Sequence, residues 1–171
     1  MLKKLLIASV ISLGLIQSFG ELPSSAAKKS KTVKQDSVFE IAQANGAFRT
    51  FTNGLVSTGL SGSLYGKQSF TIFAPTDAAF QALPRETTEM LFKPENKEKL
   101  MKVLSYHLVS GKLTAKKLKP GYVKTVEGSG VLVAVKNGQV MINNAAVTQT
   151  NIKARNGYIH VIDRVILPPD L

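Results

Sequence analysis

His107 and His160 are the side chains of this chain best suited to move a proton near neutral pH. A histidine base needs a nucleophile to activate and a carboxylate to orient its ring, and no acid closely precedes His107. His107 falls instead on an apolar stripe with helical spacing: Leu100, Val103, Leu104, His107 and Leu108. A buried imidazole bonded to nearby backbone is the expectation there. His160 and Asp163 stand three apart in a segment that reads as a strand, so they point to opposite faces and cannot share a metal. Cysteine is absent, which excludes a thiol nucleophile and thiolate metal sites. No HExxH, GxSxG or glycine-rich phosphate loop occurs, and the carboxylates are scattered. No catalytic residue, metal site or cofactor is expected. A hydrolase would require a serine, a histidine and an acid brought together around His160.

Binding is the chemistry that remains, and charge is its most visible resource. The chain carries 22 Lys and Arg against 11 Asp and Glu, a net charge of +11. The lysines gather in two stretches: Lys28, Lys29, Lys31 and Lys34, then Lys112, Lys116, Lys117, Lys119 and Lys124. The second stretch is a candidate patch for an anionic partner such as acidic polysaccharide, lipid headgroups or an acidic protein; a solvated surface that keeps the chain soluble is the competing reading. Nucleic acid would suit the charge but not the export signal described next.

The chain opens MLKK, continues LLIASVISLGLI (5–16) and reaches PSSAA (23–27), the charged, apolar and small-residue order of a secretory signal peptide. Residues 1–27 are expected to be that leader, cleaved after Ala27 or Gly20. The apolar run is too short to span a bilayer comfortably; an uncleaved anchor is the alternative. Residues 28–35 read as a basic flexible lead-in, and the remainder is long enough for one domain with its own core. A secreted or periplasmic location is expected. No later segment reads as a membrane helix, and no Asn-x-Ser/Thr glycosylation acceptor is present.

The elements that must position these residues are legible in outline. Ser37-x-x-Glu40 is a capping box, with Val38, Ile41 and Ala42 on one helical face and Phe48, Phe51 and Leu55 continuing the spacing. Three glycines mark 58–68 as a loop, 69–73 reads as a strand, and Thr76-Asp77 caps a short helix. Pro94 suits the first turn of the next helix, with Glu95-Lys99 and Glu98-Lys102 as i,i+4 pairs. Beyond Gly121 the period changes to two: strands are predicted at 122–126, 131–135, 139–143, 146–150 and 158–167. Asn137-Gly138 and Asn156-Gly157 are predicted hairpin turns with φ > 0, and Pro168-Pro169 is expected to stop the sheet. Helices first and strands after argue for an α+β fold.

Three blocks also carry a family resemblance. TIFAPTDAAFQALP (71–84), LSYHLVSGKL (104–113) and NGYIHVIDRVILPP (156–169) resemble, in order and spacing, the signatures of the fasciclin (FAS1) domain family. The resemblance implies a FAS1 fold over 36–169: a β-sandwich-like wedge with helices packed along one side. It further implies an exported module acting by non-covalent adhesion, with a cell-surface or matrix protein as partner; the lysines make an anionic glycan the other candidate. A carrier of a small lipid or glycan is the alternative. Two family segments linked to adhesion map here to Tyr106-His107 and to Asn151-Ile152. The second is an Asp-Ile dipeptide in the family. The amide at Asn151 offers no charge to a cation, which weakens any metal- or Arg-mediated contact at that position.

Overall fold

The computed structural model describes residues 36–171. The expected leader (1–27) and basic lead-in (28–35) lie outside the described residues.

The chain begins with helices. In α1 (Val38–Ala44), Ser37 Oγ accepts from the Glu40 amide and the Glu40 carboxylate accepts from the Ser37 amide, closing the capping box. Helix α2 (Arg49–Thr58) ends at Gly59, whose φ of 84° is the left-handed conformation a helix C-terminus uses. The segment after it, expected to be loop throughout, contains a short helix α3 (Ser61–Leu64). Buried Leu64 anchors that turn to the core, an effect glycine content alone does not register. Strand β1 (Phe70–Pro75) is buried along its whole length. Thr76 then caps α4 (Asp77–Gln81) through the Ala79 amide.

Helix α5 (Arg85–Phe92) has no counterpart in the sequence expectations; Leu91 is its one fully buried side chain. Pro94 opens a single 3-10 turn (Pro94–Asn96), and α6 (Lys97–Tyr106) follows. The helix stops one residue before His107, and Leu108 already belongs to strand β2 (Leu108–Ser110). Glu98 does not take Lys102 as its partner. That lysine reaches Asp170 near the C-terminus instead. Helices α2 and α6 pack closely at Gly54, where a Cβ would sit 3.0 Å from a Leu104 methyl.

Strands β3 (Gly121–Lys124), β4 (Gly130–Lys136), β5 (Gln139–Ile142), β6 (Ala145–Ala154) and β7 (Gly157–Ile162) complete one seven-stranded sheet, ordered β2-β1-β7-β6-β5-β4-β3. All pairings are antiparallel except β1 with β7. Register shifts along β6 between Val147, Gln149 and Ile152 bend the sheet, as bulges do. The bend brings the far edges together: beyond β3, the Val126 amide donates to the Leu108 carbonyl of β2 at 2.7 Å. A nearly closed, wedge-like sheet results, with helices packed against one part of it.

Two apolar cores follow from this bend. One lies between the helices and the β1–β7 region, and includes Phe39, Phe51, Leu55, Ile72, Leu104 and Ile159. The other fills the sheet's own fold, and includes Phe73, Val131, Val133, Ile142, Val147 and Ile162. Adjacent residues Ile72 and Phe73 enter different cores, as strand alternation requires.

The closing strand is shorter than expected. It ends at Ile162, because Asp163 Oδ1 accepts from the Ala146 amide while the Asp163 amide donates to the Ala146 carbonyl. The double proline therefore follows a sheet end set by Asp163. The Asn137-Gly138 turn has the expected positive φ values, 51° and 79°. Asn156-Gly157 does not: the turn is Arg155-Asn156, and neither Asn156 nor Gly157 has positive φ. Asn156 is instead a buried tie, its Oδ1 accepting from the Val38 amide and its Nδ2 donating to the Leu64 carbonyl.

Candidate interaction surface

Tyr106 and His107 occupy the junction between α6 and β2, and both are interior. Tyr106 is 3% exposed and His107 fully buried. The Tyr106 hydroxyl donates to the Gly130 carbonyl and accepts from Asn143 Nδ2, each at 3.1 Å, tying α6 to the bent half of the sheet. His107 Nδ1 lies 2.8 Å from the Val103 carbonyl, and its Nε2 accepts from the Ile166 amide at 3.2 Å. Since Nε2 is the acceptor, the proton sits on Nδ1. Burial lowers the His107 pKa to about 4, against the smaller opposing effect of the Val103 carbonyl. As candidates for recognition, these two side chains are placed where a partner cannot touch them without local opening.

Asn151 and Ile152 are brought to a bulge of β6. Asn151 is exposed, with φ of 59°, a left-handed conformation that Asn accepts more readily than most residues. Its Oδ1 accepts from the Ala115 amide at 2.8 Å, and its own amide donates to His160 Nδ1 at 3.3 Å. Ile152 is half-buried against the helix-side core. His160 uses its other nitrogen, Nε2, to donate to the Leu113 carbonyl at 2.8 Å, and stacks near Phe73. Its proton is therefore on Nε2, the opposite tautomer to His107. Burial lowers its pKa, opposed by the Leu113 carbonyl. Among the described residues no serine or acid joins His160 in a catalytic arrangement, and Asp163 is committed to Ala146. Among the described residues no group of three or more His, Cys, Asp or Glu is placed to hold a metal ion.

The lysine set divides. The segment after β2 is strapped to the sheet: Thr71 Oγ1 donates to the Gly111 carbonyl and accepts from the Leu113 amide, and His160 and Asn151 hold Leu113 and Ala115. A 3-10 turn (Ala115–Lys117) follows. Lys112 crosses to the turn that follows β6, its Nζ donating to the Arg155 carbonyl at 3.1 Å. Exposed Lys112, Lys116 and Lys117 thus sit with the β6 end, which carries exposed Lys153 and Arg155. Lys124 lies apart, on the outer face of β3 with Tyr122, and Lys119 on the link between the turn and β3. Lys153 and Arg155 were missed in the sequence, although the alternation in NIKAR (151–155) places both outward.

The geometry has relatives. A family model described as Fasciclin domain matches residues 46–168. Protein sll1483 of Synechocystis is 42% identical over 146 residues, covering 85% of this chain and 81% of that protein. Cell surface glycolipoprotein MPB83 of Mycobacterium bovis is 28% identical over 95% of this chain and 74% of its own length. Among solved structures, a FAS1 domain pair from the insect cell adhesion molecule Fasciclin I matches with a TM-score of 0.71 at 20% identity. That match covers 78% of this chain and 51% of the two-domain chain, and speaks to fold alone.

Proposed function

Because this chain belongs to the Fasciclin domain family, we propose that it is an exported interaction module that binds non-covalently at the cell surface, in the periplasm or in the matrix. One observation carries this reading. Both histidines are buried, and every ring nitrogen is engaged by a backbone group, so the side chains best suited to catalysis serve the fold. What remains accessible is a charged surface. No described helix is long and apolar enough to cross a membrane, and the leader-like start supports export. The name of one relative, a cell surface glycolipoprotein, agrees with a surface role.

Incubating the purified protein with cell-envelope and matrix fractions, at low and high salt, tests the proposal. Specific capture from one fraction is expected. No capture under either condition would overturn it.

The carrier reading keeps one observation in its favour. A cleft of about 380 Å³ beside α2 is lined by Asn53, Ser57, Phe92, Pro94 and Leu100, with Lys93 and Lys97 at hand for an acidic headgroup. Displacement of a fluorescent fatty acid from the protein, abolished by Phe92→Asp, would favour it.

A further inference from the structure

Between Val103 and Ile162 the chain holds eight Lys and Arg and a single carboxylate, Glu127. Glu127 is occupied in its own loop, accepting from the Ser129 amide. The fold draws five of the eight cations together, although they come from segments some forty residues apart: Lys112, Lys116 and Lys117 on the strap, Lys153 on β6 and Arg155 in the turn after it. The contacts that assemble the face are backbone-anchored. Lys112 Nζ reaches the Arg155 carbonyl, and the Ala115 amide, just before Lys116, reaches Asn151 Oδ1. Among the described residues the salt bridge formed is Lys102 with Asp170, and it involves none of the five cations. The Asp36 carbonyl accepts from the Arg155 amide, so an acidic residue neighbours that cation in the fold.

The shape of the face selects among anions. Lys153 near the end of β6 and Arg155 in the turn after it stand beside Lys112, Lys116 and Lys117 of the strap, so several cations are offered together. An extended polymer with repeated charges would meet several of them at once. Half-buried Tyr158 lies directly opposite Lys153 in the β6–β7 ladder and adds an aromatic surface beside the charge. A lipid surface would instead call for apolar side chains protruding among the cations. Building on the interaction-module reading, we propose that this face binds a linear acidic polysaccharide, with Lys112, Lys116, Lys117, Lys153 and Arg155 meeting its anionic groups.

The test compares two triple charge reversals of equal formal charge. Lys116→Glu, Lys117→Glu and Lys153→Glu alter the face; Arg49→Glu, Arg85→Glu and Lys99→Glu alter the helical side. Binding to immobilised polygalacturonate and dextran sulfate is measured at low salt, with melting temperature as the check on folding. The face triple is expected to lose about ten-fold or more in affinity and the helical triple less than about three-fold, because screening confines strong effects to nearby charges. Should the face triple melt early, the Lys→Gln triple takes its place. Equal losses in both triples would overturn the proposal, since net charge alone would then explain binding. Binding to phosphatidylglycerol vesicles without binding to either polysaccharide would overturn it as well. Salt-resistant capture from envelope fractions that the face triple leaves untouched would sink the polysaccharide face while leaving the interaction-module reading intact.

Discussion

A Cβ atom on Gly157 would fall 1.6 Å from the carbonyl oxygen of Phe70. Strand β1 runs parallel to β7 at this point, with Phe70 and Gly157 paired in register. The glycine is required for close backbone approach, since its φ is not positive. Gly157→Ala is therefore expected to cost about 4 kcal/mol or more, or to abolish folding, because the obstacle is backbone and cannot step aside. Gly138→Ala, at a positive φ in open space, should cost only about 1 kcal/mol. Urea denaturation of the two variants checks the contrast, and similar losses would refute it.

Asn156 supplies a second tie at the same corner. Its amide group satisfies the Val38 amide at the start of α1 and the Leu64 carbonyl at the end of α3, both buried contacts. Asn156→Ala would strand a donor and an acceptor together. A loss of about 3 kcal/mol is expected, measured by thermal or urea unfolding. Asn156→Asp keeps only the acceptor role and should fall between wild type and alanine.

The two Asn-Gly pairs mark how far local reading reaches. Asn137-Gly138 behaves as its dipeptide suggests, because its turn is open to solvent and only backbone preference acts on it. Asn156-Gly157 has the same letters but is surrounded by α1, α3 and β1, and tertiary contact overrides the turn preference. Capping boxes and strand alternation were legible for the same reason as Asn137: they act within a few residues. The strand end at Asp163 and the bend of β6 depend on partners far along the chain, and the sequence offers no local sign of them. The same limit applies to the basic face. Lys112 and Arg155 are 43 residues apart, and only the strap makes them neighbours.

His107 should make stability fall with acid. Its pKa drops from 6.5 in the unfolded chain to about 4 in the fold, so the native state favours the neutral ring. That contribution is complete above pH 6.5, shrinks as pH falls toward 4, and changes no further below it. The whole effect is about 3 kcal/mol at 1.36 kcal/mol per pH unit. His107→Ala should accordingly be much less stable than wild type at pH 7.5, and the gap should narrow toward pH 4. Unfolding free energies for both proteins across that range test the sign. A gap independent of pH would show that the ring's packing against Phe51 matters and its protonation does not.

Tyr106→Phe separates fold from recognition at the other half of that dipeptide. The phenylalanine keeps the packing and removes the hydroxyl that joins the Gly130 carbonyl to Asn143. A loss of about 1–2 kcal/mol is expected, with envelope capture unchanged in the folded protein. Weaker capture at an unchanged melting temperature would instead make the hydroxyl a contact for a partner.

Asn151 is where stability and recognition can be told apart most cleanly, because it is exposed yet structurally engaged. Asp accepts the left-handed backbone nearly as well as Asn, and its carboxylate can still receive the Ala115 amide. Asn151→Asp should therefore change stability by less than about 1 kcal/mol. Asn151→Val, branched at a positive φ and without the acceptor, should lose about 2 kcal/mol or more. The aspartate variant restores the acid of the family's Asp-Ile dipeptide while placing a negative charge beside Lys116 and Lys117. If the basic face is the binding surface, this variant binds acidic polysaccharide more weakly and gains no cell adhesion. A large gain in adhesion would transfer the recognition role from the lysines to position 151.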